Sequence, residues 1–572
     1  MLHQPIFDIA ELCVKKGIRE AVLCPGSRCA PLTLAFTRNK GIAARTFSDE
    51  RSAGFVGLGM AQQTQRPVVL ICTSGSAAYN FAPAVAEAFF SETPLIILTA
   101  DRPVEWVAQH DGQTIYQSEI FGKHVKRSYL LPQDYEHPDS VWAINRMVNE
   151  AINLSVQEPR GPVHINAPFR EPLYPSKGEP TVYSDGIRVL NDQPSDFTPS
   201  DADKKLIAEL WPSFRKVLLV VGQQDHLPGI SRQLQMLSER FGIPVAADII
   251  SNLEPGDHII HHSDLFLGQA TDSLKLTLQP DLLITFGKSL VSKNLKVFLR
   301  KHAPKNHWHV QPCGIAADTF RNLTHVFHTR PEHFISLLMG LPQHDTFDSQ
   351  KQVNFRNLWS VEERRAQRVI DEFFPQEQLC ELEVVKVVMD HLPAGSNLHL
   401  ANSMSVRYAN YIGPRPGVNV FANRGTSGID GCSSTAVGHA IASTRMNILI
   451  TGDVAFFYDR NAFWHNYAVS NLRVLLLNNH GGLIFNMIDG PAAQPEAAEY
   501  FITRQPLNAS KLCEEFGFEH LKLDSKRKLK NLIKDFLGEG DGVKVLEVET
   551  DLHLNRAIFD NLKQKIKTTY EK

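Results

Sequence analysis

The sequence predicts an α/β protein that contains three doubly wound parallel-sheet domains. The chain has 572 residues, and because a domain takes roughly 100–200 residues, three domains are expected. Short runs of β-branched and other apolar residues alternate along the chain with stretches that can form helices. This alternation is typical of parallel sheets covered by helices. We place the domains at residues 1–180, 195–345 and 360–572.

The first domain has four predicted strands, each a short apolar run next to a helical stretch. They are Ala21–Leu23, Pro67–Cys72, Pro94–Leu98 and Pro162–Ile165. The segment 172–201 is rich in proline, aspartate and serine, which indicates a linker between the first and second domains.

The second domain also has four predicted strands, and we place a second linker after it at residues 340–349. These strands are Val217–Val221, Ile243–Ala246, Leu282–Thr285 and Trp308–Val310. A charged stretch, Glu362–Arg368, is predicted to be helical and opens the third domain. The strands predicted in the third domain are Asn397–Leu400, Val418–Phe421, Ile448–Ile450, Val474–Leu477 and Val543–Val548.

Composition and charge exclude several classes of protein. A net charge of −3 gives no basic surface for nucleic acid. The N-terminus lacks a secretory signal, and no apolar run is long enough to cross a bilayer, so we expect a cytoplasmic protein without membrane insertion. The eight cysteines contain no CxxC pair and are expected to be buried free thiols. The absence of a GxxxxGK[ST] motif excludes a P-loop ATPase.

Polar side chains follow two neighbouring predicted strands of the third domain. Asp453 follows the apolar run 447–451, and Asn479 follows Val474–Leu477. Open α/β sheets bind ligands at the carboxyl ends of their strands. A carboxylate and a carboxamide oxygen there suit Mg²⁺, which leaves coordination positions for a phosphate. Aspartate and asparagine also favour turns, so this pair alone leaves both interpretations open.

Glu50 lies at the predicted start of a helix in the first domain. Ser48 is a good N-cap for this helix, and a carboxylate is common in a first turn. Taken alone, Glu50 is therefore explained by a solvated helix end. Small residues in the helix permit another element to pack closely against it, and they are Ala53, Gly54, Gly57, Gly59 and Ala61.

Taken together, Glu50, Gly452-Asp453 and Asn478-Asn479 resemble the signature of thiamine-diphosphate (ThDP) enzymes. The resemblance implies that Asp453, Asn479 and the carbonyl of Gly481 hold Mg²⁺, or Mn²⁺ in its place, against the cofactor diphosphate. It also implies that Glu50 hydrogen-bonds N1′ of the aminopyrimidine, because protonation there prepares the cofactor to act as a nucleophile.

The same resemblance implies a pyruvate-oxidase-like architecture. The first domain would bind the pyrimidine, the third the diphosphate, and the central domain would be mainly structural. The pyrimidine and diphosphate domains of such enzymes meet across a subunit interface. The resemblance therefore implies a homodimer as the minimum, or a homotetramer, with Glu50 of one subunit facing Asp453 of the other.

Longer segments resemble one branch of the ThDP enzymes, the synthases of menaquinone biosynthesis that act on 2-oxoglutarate and isochorismate. The segments are Cys24–Arg28, Ala30–Leu32, Asp49–Gly54, Thr73–Ser76, Asn423–Gly431, Gly452-Asp453 and Asn478–Phe485. The resemblance covers essentially the whole chain. It implies a transferase that decarboxylates 2-oxoglutarate and adds the succinyl carbanion equivalent to isochorismate in a Stetter-like 1,4-addition.

The charges agree with two dicarboxylate substrates. Four carboxylates need several fixed cations, and arginine suits bidentate carboxylate binding. Arginines just beyond predicted strand ends, or in the first helical turn after them, are Arg28, Arg102, Arg407 and Arg424. Ser403 and Arg407 are four residues apart, so a helix would put them on one face. By resemblance, the substrate and catalytic residues are Glu50, Ser27, Arg28, Arg102, Gln113, Lys293, Ser403, Arg407 and Arg424.

Apolar residues are also implied in cofactor binding by the resemblance. Ile429 would wedge the cofactor into its bent conformation, and Ile484 and Phe485 would form an apolar wall near the thiazolium ring. Asn294 stands beside Lys293, where the family often has a second basic residue. His480, next to the predicted metal site, is expected to be exposed.

Two other functions stay open at this point. One is another ThDP enzyme, such as a 2-oxoacid decarboxylase, which needs fewer cations, or an acetolactate-type synthase, which usually binds FAD in its middle domain. The middle domain has no persuasive nucleotide motif. The other is a non-catalytic α/β binding protein, against which the complete set of Glu50, Asp453 and Asn479 argues.

Overall fold

Three six-stranded sheets form the framework of the computed structural model. The structure describes residues 4–343, 346–374 and 378–571. The chain forms two compact units. The first unit comprises Met1–Pro194, Asn423–Asn447 and Ala455–Leu472, and the second comprises Ser195–Ala422, Ile448–Val454 and Arg473–Lys572. The first sheet belongs to the first unit, whereas the second sheet and most of the third belong to the second unit.

The first sheet is parallel throughout. Its strands are β1 (Glu20–Leu23), β2 (Ala43–Thr46), β3 (Val68–Cys72), β4 (Leu95–Asp101), β5 (Ser128–Leu130) and β6 (Val163–Pro168). Their order across the sheet is β2-β1-β3-β4-β6-β5. The accompanying helices are α1 (Gln4–Lys15), α2 (Ala30–Thr37), α3 (Glu50–Thr64), α4 (Ser76–Asn80), α5 (Ala82–Ser91) and α6 (Pro138–Val156). Every residue of β3 and β4 is buried, as expected for strands covered on both faces.

The second sheet is also parallel and has the strand order of a dinucleotide-binding sheet. Its strands are β7 (Val217–Val221), β8 (Val245–Ala247), β9 (Ile259–Ile260), β10 (Leu282–Phe286), β11 (Asn306–Gln311) and β12 (His325–His328). The order β12-β11-β10-β7-β8-β9 places the topological switch point, where such sheets bind ligands, between β7 and β10. The helices of this part are α7 (Asp201–Leu210), α8 (Ile230–Phe241), α9 (Ser263–Gln269), α10 (Asp272–Leu278), α11 (Lys293–Lys301), α12 (Pro331–Met339) and α13 (Thr346–Glu372).

The loops that follow β7 and β10 close this switch point. The N–H of Gly222 donates to the carbonyl of Phe286 at 2.9 Å, and the N–H of Gln223 donates to that of Ser289 at 2.9 Å. In return, the N–H of Lys288 donates to the carbonyl of Gln223 at 2.8 Å. A Cβ on Gly222 would collide with the carbonyl of Lys288. Backbone hydrogen bonds therefore join the two loops at the switch point.

The third sheet has the same topology as the first. Its strands are β13 (Asn397–Leu400), β14 (Asn419–Phe421), β15 (Asn447–Gly452), β16 (Leu472–Asn478), β17 (Glu519–Leu523) and β18 (Lys544–Glu549). The order β14-β13-β15-β16-β18-β17 matches that of the first sheet strand for strand. The helices are α14 (Glu381–Asp390), α15 (Met404–Ile412), α16 (Cys432–Ala442), α17 (Asp453–Tyr458), α18 (Leu483–Met487), α19 (Asp489–Ala492), α20 (Ser510–Phe516), α21 (Leu529–Leu537) and α22 (Leu552–Thr568).

The predicted fold class of three parallel α/β sheets is confirmed. Each strand predicted from the sequence is present, with small changes at the ends. The strands that were not predicted are β2, β5, β9, β12 and β17, and all of them lie at the edges of their sheets. The predicted linker after the first domain is irregular up to α7, but α13 begins inside the second predicted linker, which is therefore shorter than expected.

Two helices of the first unit, α3 and α16, touch along their backbones. A Cβ on Gly59 would collide with the carbonyl oxygen of Thr435, and a Cβ on Gly438 would collide with that of Val56. The small residues of α3 therefore permit the close packing that the sequence predicted. This contact fixes α3, whose first residue is Glu50, against the segment that follows β14.

Two further expectations concern membranes and thiols. Within the described ranges, no helix is both long and apolar enough to cross a membrane. The cysteines are free thiols, and all but the half-buried Cys313 are buried, as predicted.

Candidate active site

Glu50 is the first residue of α3, and its side chain is half-buried. The N-cap of α3 is Asp49, whose Oδ1 accepts hydrogen bonds from two backbone N–H groups of the first turn, at 2.9 and 3.3 Å. The expectation that Ser48 caps this helix is wrong, because the carboxylate one residue later reaches those N–H groups. Asn80 donates from Nδ2 to Glu50 Oε2 at 3.4 Å.

Neighbouring contacts hold the start of α3 in place. Asn461 donates from Nδ2 to Asp49 Oδ2 at 2.7 Å. The guanidinium of Arg51 lies over the ring of Tyr458, 4.5 Å from its centroid, and donates to the Tyr458 carbonyl at 2.9 Å. Both residues that flank Glu50 are thus fixed, which limits the positions open to its carboxylate.

Arg28 and Arg102 lie close together in the first unit. Arg28 is buried and donates from Nη1 to the carbonyl of Phe169 at 3.0 Å. Burial, and then the positive charge of Arg102, hold the pKa of Arg28 below its usual value. Arg102 pairs with Asp111 at 2.9 Å. Arg28 Nη2 also lies 3.7 Å from Glu171 Oε1, so both guanidinium groups lie near carboxylates, and the structure provides a candidate carboxylate site here.

Ser27 and Gln113 lie on exposed loops of the same unit. Ser27 Oγ is 3.4 Å from the hydroxyl of Tyr174. Gln113 has a left-handed backbone with a φ of 59°, and it directly follows Gly112, whose carbonyl accepts from Arg102 Nη2 at 3.1 Å. Gln113 is therefore next to a contact of Arg102.

The loop that carries Arg424 and Ile429 is anchored by the buried carboxylate of Glu87, which belongs to α5. Glu87 Oε1 accepts from the N–H of Gly425 at 2.8 Å. Its Oε2 accepts from the N–H and the hydroxyl of Thr426, at 2.6 and 2.8 Å. Burial raises the pKa of Glu87, and these hydrogen bonds oppose that rise. Both Arg424 and Ile429 are half-buried.

In the second unit, Asp453 and Asn479 follow the adjacent strands β15 and β16. Both are buried, at 1% and 8% exposure. The N–H of Gly481 donates to the Asp453 carboxylate, so the two sequence motifs meet. Gln505 also donates to it, from Nε2 to Oδ2 at 2.6 Å. Burial raises the pKa of Asp453, whereas these hydrogen bonds lower it.

The residues around Asp453 fit a divalent cation. Asn479 Oδ1 is buried and has no hydrogen-bond partner among the described residues, which is unusual for an acceptor in a protein interior. The carbonyl of Gly481 accepts from the N–H of Leu483 at 3.0 Å and keeps a second lone pair. A carboxylate, a carboxamide oxygen and a carbonyl are hard oxygen ligands, which Mg²⁺ prefers.

Ser403 is the N-cap residue of α15, outside the helix, and Arg407 lies four residues later within it. Arg407 donates from Nη1 to the carbonyl of Ser403 at 2.6 Å. Ser403 precedes the helix with a φ of 74°, a left-handed conformation that is rare outside glycine and is often found at functional sites. Burial lowers the pKa of Arg407.

Lys293 is the exposed first residue of α11, and its neighbour Asn294 is turned toward α9. Asn294 donates from its N–H to Asp264 Oδ1 at 2.6 Å and from Nδ2 to the Asp264 carbonyl at 2.8 Å. Tyr411 also hydrogen-bonds the Asp264 carboxylate, and the charge of Arg407 acts on it. Asp264 thus joins the start of α11, which carries Lys293, to α15, which carries Arg407.

The apolar candidates of the second unit lie in α18, where Ile484 is half-buried and Phe485 is 36% exposed. Gly452 is the last residue of β15. His480 is half-buried, so the expectation of an exposed side chain is wrong. Its Nε2 lies 3.3 Å from Glu549 Oε1, a contact that holds the ring against the protein.

The predicted site residues divide between the two units. The first unit contains Ser27, Arg28, Glu50, Arg102, Gln113, Arg424 and Ile429. The second unit contains Lys293, Ser403, Arg407, Gly452, Asp453, Asn479, Gly481, Ile484 and Phe485.

Several polar partners of these residues were not predicted, namely Glu87, Asp264, Glu381 and Gln505. Glu87 had a usable signal, because it is a lone charge within the apolar run 84–89 of a helix. Glu381 donates its backbone N–H to Asn555 Oδ1 at 3.0 Å and accepts at Oε1 from Asn479 Nδ2. Neither partner is near it in the sequence, so no spacing pattern reveals its role.

Three family models match successive parts of the chain. The thiamine pyrophosphate enzyme N-terminal TPP binding domain matches residues 7–120. The middle domain of thiamine pyrophosphate enzymes matches residues 195–400, and the C-terminal TPP binding domain matches residues 403–548.

Curated relatives extend the similarity along the whole chain. A 2-succinyl-5-enolpyruvyl-6-hydroxy-3-cyclohexene-1-carboxylate (SEPHCHC) synthase of Cytophaga hutchinsonii is 45% identical, over 99% of this chain and 100% of the relative. The synthase of the same name from Flavobacterium johnsoniae is 36% identical over 96% of this chain and 97% of its own. That of Desulfotalea psychrophila is 35% identical over 96% of this chain and 98% of its own.

Proposed function

Because the chain belongs to the thiamine pyrophosphate enzymes and, among them, to the SEPHCHC synthases, we propose that it is a ThDP-dependent transferase of menaquinone biosynthesis. The proposed reaction decarboxylates 2-oxoglutarate and adds the succinyl carbanion equivalent to isochorismate in a Stetter-like 1,4-addition, giving SEPHCHC and CO₂. The observation that carries the proposal is the 45% identity with a SEPHCHC synthase along 99% of the chain.

Glu50 is the proposed proton-transfer residue. When bound, ThDP supplies a nucleophilic carbon and an electron sink for decarboxylation, while the protein supplies position and electrostatics. In this proposal the Glu50 carboxylate hydrogen-bonds N1′ of the aminopyrimidine and holds a proton there. Its place at the start of α3, between the fixed residues Asp49 and Arg51, supports the assignment.

Asp453, Asn479 and the carbonyl of Gly481 are the proposed ligands of Mg²⁺, or of Mn²⁺ in its place. The cation would hold the cofactor diphosphate at the end of β15 and β16. The buried, unpartnered Oδ1 of Asn479 supports this assignment. Gly452 would let the backbone approach the diphosphate, and Ile429, Ile484 and Phe485 would contact the rings.

The polar and cationic residues are proposed to bind the four substrate carboxylates. They are Ser27, Arg28, Arg102, Gln113, Lys293, Ser403, Arg407 and Arg424. The carboxylates that Arg28 and Arg102 already contact, Glu171 and Asp111, support the binding of an anion at this place. Substrate carboxylates that take up the hydrogen bonds of these guanidinium groups would leave fewer donors to hold water in the site.

The second candidate, another ThDP enzyme, is less well supported. A 2-oxoacid decarboxylase has one carboxylate to bind and does not need four candidate arginines, of which Arg28 is buried and the other three are half-buried. An acetolactate-type synthase usually binds FAD in its middle domain. Here the switch point of the second sheet is closed by backbone hydrogen bonds from Gly222 and Gln223, which disfavours a dinucleotide at that place.

The proposal includes the assembly and location that the sequence suggested. We propose a homodimer as the minimum, or a homotetramer, in which Glu50 of one subunit faces Asp453 of the partner subunit. We also propose a cytoplasmic location, without nucleic-acid or membrane partners. Light scattering coupled to size-exclusion chromatography tests the assembly, because a monomeric mass for the active protein would contradict it.

The test of the proposed function is an omission assay. Loss of isochorismate absorbance is followed with 2-oxoglutarate, ThDP and Mg²⁺ present, and then with each component left out in turn. The proposal predicts consumption that requires all three. Consumption of a 2-oxoacid at an equal rate without isochorismate would indicate a decarboxylase. ThDP binding without either activity would indicate that the cofactor is right and the substrates are wrong.

A further inference from the structure

Glu381 is a buried carboxylate behind the candidate metal ligands of the second unit. It is the first residue of α14 and is 1% exposed. Its Oε1 accepts from Asn479 Nδ2 at 2.8 Å and from the hydroxyl of Thr550 at 3.2 Å. Tyr408, also fully buried, hydrogen-bonds the same carboxylate. The carboxylate is therefore held in one place by three side chains: Asn479 and Thr550, which directly follow β16 and β18, and Tyr408 of α15.

The hydrogen bond between Glu381 and Asn479 decides which way the asparagine amide points. The two ends of an asparagine amide have nearly the same shape, and only the hydrogen-bond partners distinguish them. Burial raises the pKa of Glu381 to about 7, but Asn479, Thr550 and Tyr408 all donate hydrogen bonds to its carboxylate and favour the ionised form, which accepts hydrogen bonds and cannot donate them. The end of Asn479 that faces Glu381 must therefore be the NH₂ group, and Oδ1 occupies the opposite end, where it is buried without a partner.

We propose that Glu381 is a positioning residue that keeps Asn479 Oδ1 turned toward the divalent cation of the ThDP site. This inference rests on the proposed function, because it takes Asn479 as a metal ligand. If the amide were reversed, its NH₂ group would face the cation and could not coordinate it. Groups that orient a metal ligand in this way typically change metal affinity by about 10- to 100-fold when they are lost.

The proposal also explains why a charged residue is buried at this position. A glutamine at position 381 could accept from Asn479 through its oxygen or donate to it through its nitrogen, so both orientations of the Asn479 amide would be satisfied. Only an acceptor-only group selects one orientation. The cost of burying the carboxylate is offset by its hydrogen bonds to Asn479, Thr550 and Tyr408.

The test measures metal affinity without turnover. Mn²⁺ is titrated into the full-length protein in the presence of ThDP, and free Mn²⁺ is followed by its electron paramagnetic resonance signal. Glu381→Gln allows the Asn479 amide to take either orientation, because glutamine can both accept and donate a hydrogen bond. Glu381→Asp keeps the negative charge but withdraws the carboxylate from Asn479 by one methylene. We expect both variants to bind Mn²⁺ about 10- to 100-fold more weakly than the wild type.

A compensating swap and a charge control separate orientation from net charge. In the double variant Glu381→Gln/Asn479→Asp, the net charge is that of the wild type, and the symmetric carboxylate at position 479 presents an oxygen to the cation in either orientation. We expect it to recover most of the lost affinity. Glu383→Gln removes a buried charge two residues away, paired with Lys526 at 2.8 Å, and should bind Mn²⁺ as the wild type does.

Two outcomes with the single variants would overturn the proposal. Wild-type affinity in a folded Glu381→Asp, or an equal loss in Glu383→Gln, would overturn it, because charge rather than orientation would then account for the data. Circular dichroism shows whether each variant is folded. If either single variant does not fold, the double variant is tested instead. A double variant that binds Mn²⁺ no more tightly than Asn479→Ala would overturn the proposal. If the wild type itself does not bind Mn²⁺ with ThDP, the proposed function fails instead.

Discussion

Glu50 is the residue on which the proposed proton transfer depends, and the hydrogen bond from Asn80 Nδ2, at 3.4 Å, is a weak one. Glu50→Gln keeps the shape of the side chain but cannot exchange a proton. We expect turnover to fall by about 10²- to 10⁴-fold, the usual range for loss of an acid–base residue. Thermal unfolding should be nearly unchanged. The matched control is Glu209→Gln, on the exposed surface of α7, and equal turnover in both variants would contradict the role of Glu50.

Asp264 gives a prediction about pH and stability. Burial raises its pKa to about 6, and Asp248 adds to the rise, while hydrogen bonds from Asn294 and Tyr411 and the charge of Arg407 oppose it. An aspartate in an unfolded chain has a pKa of about 3.9. Between these two values the folded state holds a proton that the unfolded state has lost. The contribution of Asp264 to stability is therefore full below about pH 4 and is lost as pH rises through about 6.

Asp264→Asn removes this titration but keeps an oxygen that can accept from Asn294. We expect the free energy of unfolding of the variant to fall less than that of the wild type between pH 4 and 6.5, by on the order of 2 kcal/mol. Urea unfolding at four pH values measures the difference. Parallel curves for the two proteins would show that Asp264 does not titrate in this range.

Some site residues could be found from the sequence and others could not. Asp453 and Asn479 follow long apolar runs, so their position at strand ends was predictable, and the structure brings the two motifs together through Gly481. Glu381 lies 98 residues from Asn479 along the chain, and a partner at that distance has no pattern in a single sequence. His480 was misjudged because its partner, Glu549, comes from a different strand.

At the level of elements, the contact between α3 and α16 predicts that alanine substitutions at different glycines change stability by very different amounts. Alanine in place of glycine favours a helix by about 1 kcal/mol. At Gly438, however, the new Cβ would strike the carbonyl of Val56, which cannot rotate away. We expect Gly438→Ala to lose about 3 kcal/mol of stability on balance. At Gly57 the obstacle is the end of the Leu70 side chain, which can move, so Gly57→Ala should lose less.

Thermal unfolding of the two alanine variants checks this order. Gly186→Ala, where a Cβ meets nothing within 4 Å, serves as the control and should change stability by less than about 0.5 kcal/mol. A Gly438→Ala protein as stable as the control would mean that the two helices do not touch along their backbones.

The loop that carries Arg424 and Ile429 depends on the carboxylate of Glu87. Glutamine has one acceptor oxygen, so Glu87→Gln would lose at least one of the part-buried hydrogen bonds from Gly425 and Thr426 to the charged carboxylate, at a cost of about 1–3 kcal/mol. We expect kcat/KM to fall by about 10- to 100-fold because both loop residues are displaced. Thr426→Ser keeps all three hydrogen bonds and should stay within about threefold of the wild type.

The strands show how far the sequence predicts elements. Central strands such as β3 and β16 are buried along their whole length and appear in the sequence as continuous apolar runs. The missed strands lie at sheet edges, and all of them except β9 are mostly exposed or half-buried; β9 is buried but is only two residues long. In β2 no residue is buried, and in β17 only Leu523 is. Edge strands are therefore defined by pairing with a neighbour, which a pattern of hydrophobicity does not reveal.

For the whole molecule, the number and class of the sheets could be predicted from the sequence, but the strand order that two of them share could not. The first and third sheets share one strand order, although the sequence shows no strong internal repeat. Topology is set by which strands pair, and many sequences satisfy the same pairing. Likewise, the segments Asn423–Asn447 and Ala455–Leu472 belong to the first compact unit, because side-chain contacts such as those of Glu87 and Asp49 draw them there. The predicted domain limits remain a prediction.

The proposed activity couples decarboxylation of 2-oxoglutarate to addition to isochorismate in one chain. The most direct measurement is the ratio of CO₂ released to isochorismate consumed, using 2-oxoglutarate labelled at its C1 carboxylate. We expect a ratio of about one and very little CO₂ when isochorismate is left out, because the proposed transfer needs the acceptor to complete each turnover. Release of CO₂ at the same rate with and without isochorismate would rule out the coupling and identify a decarboxylase.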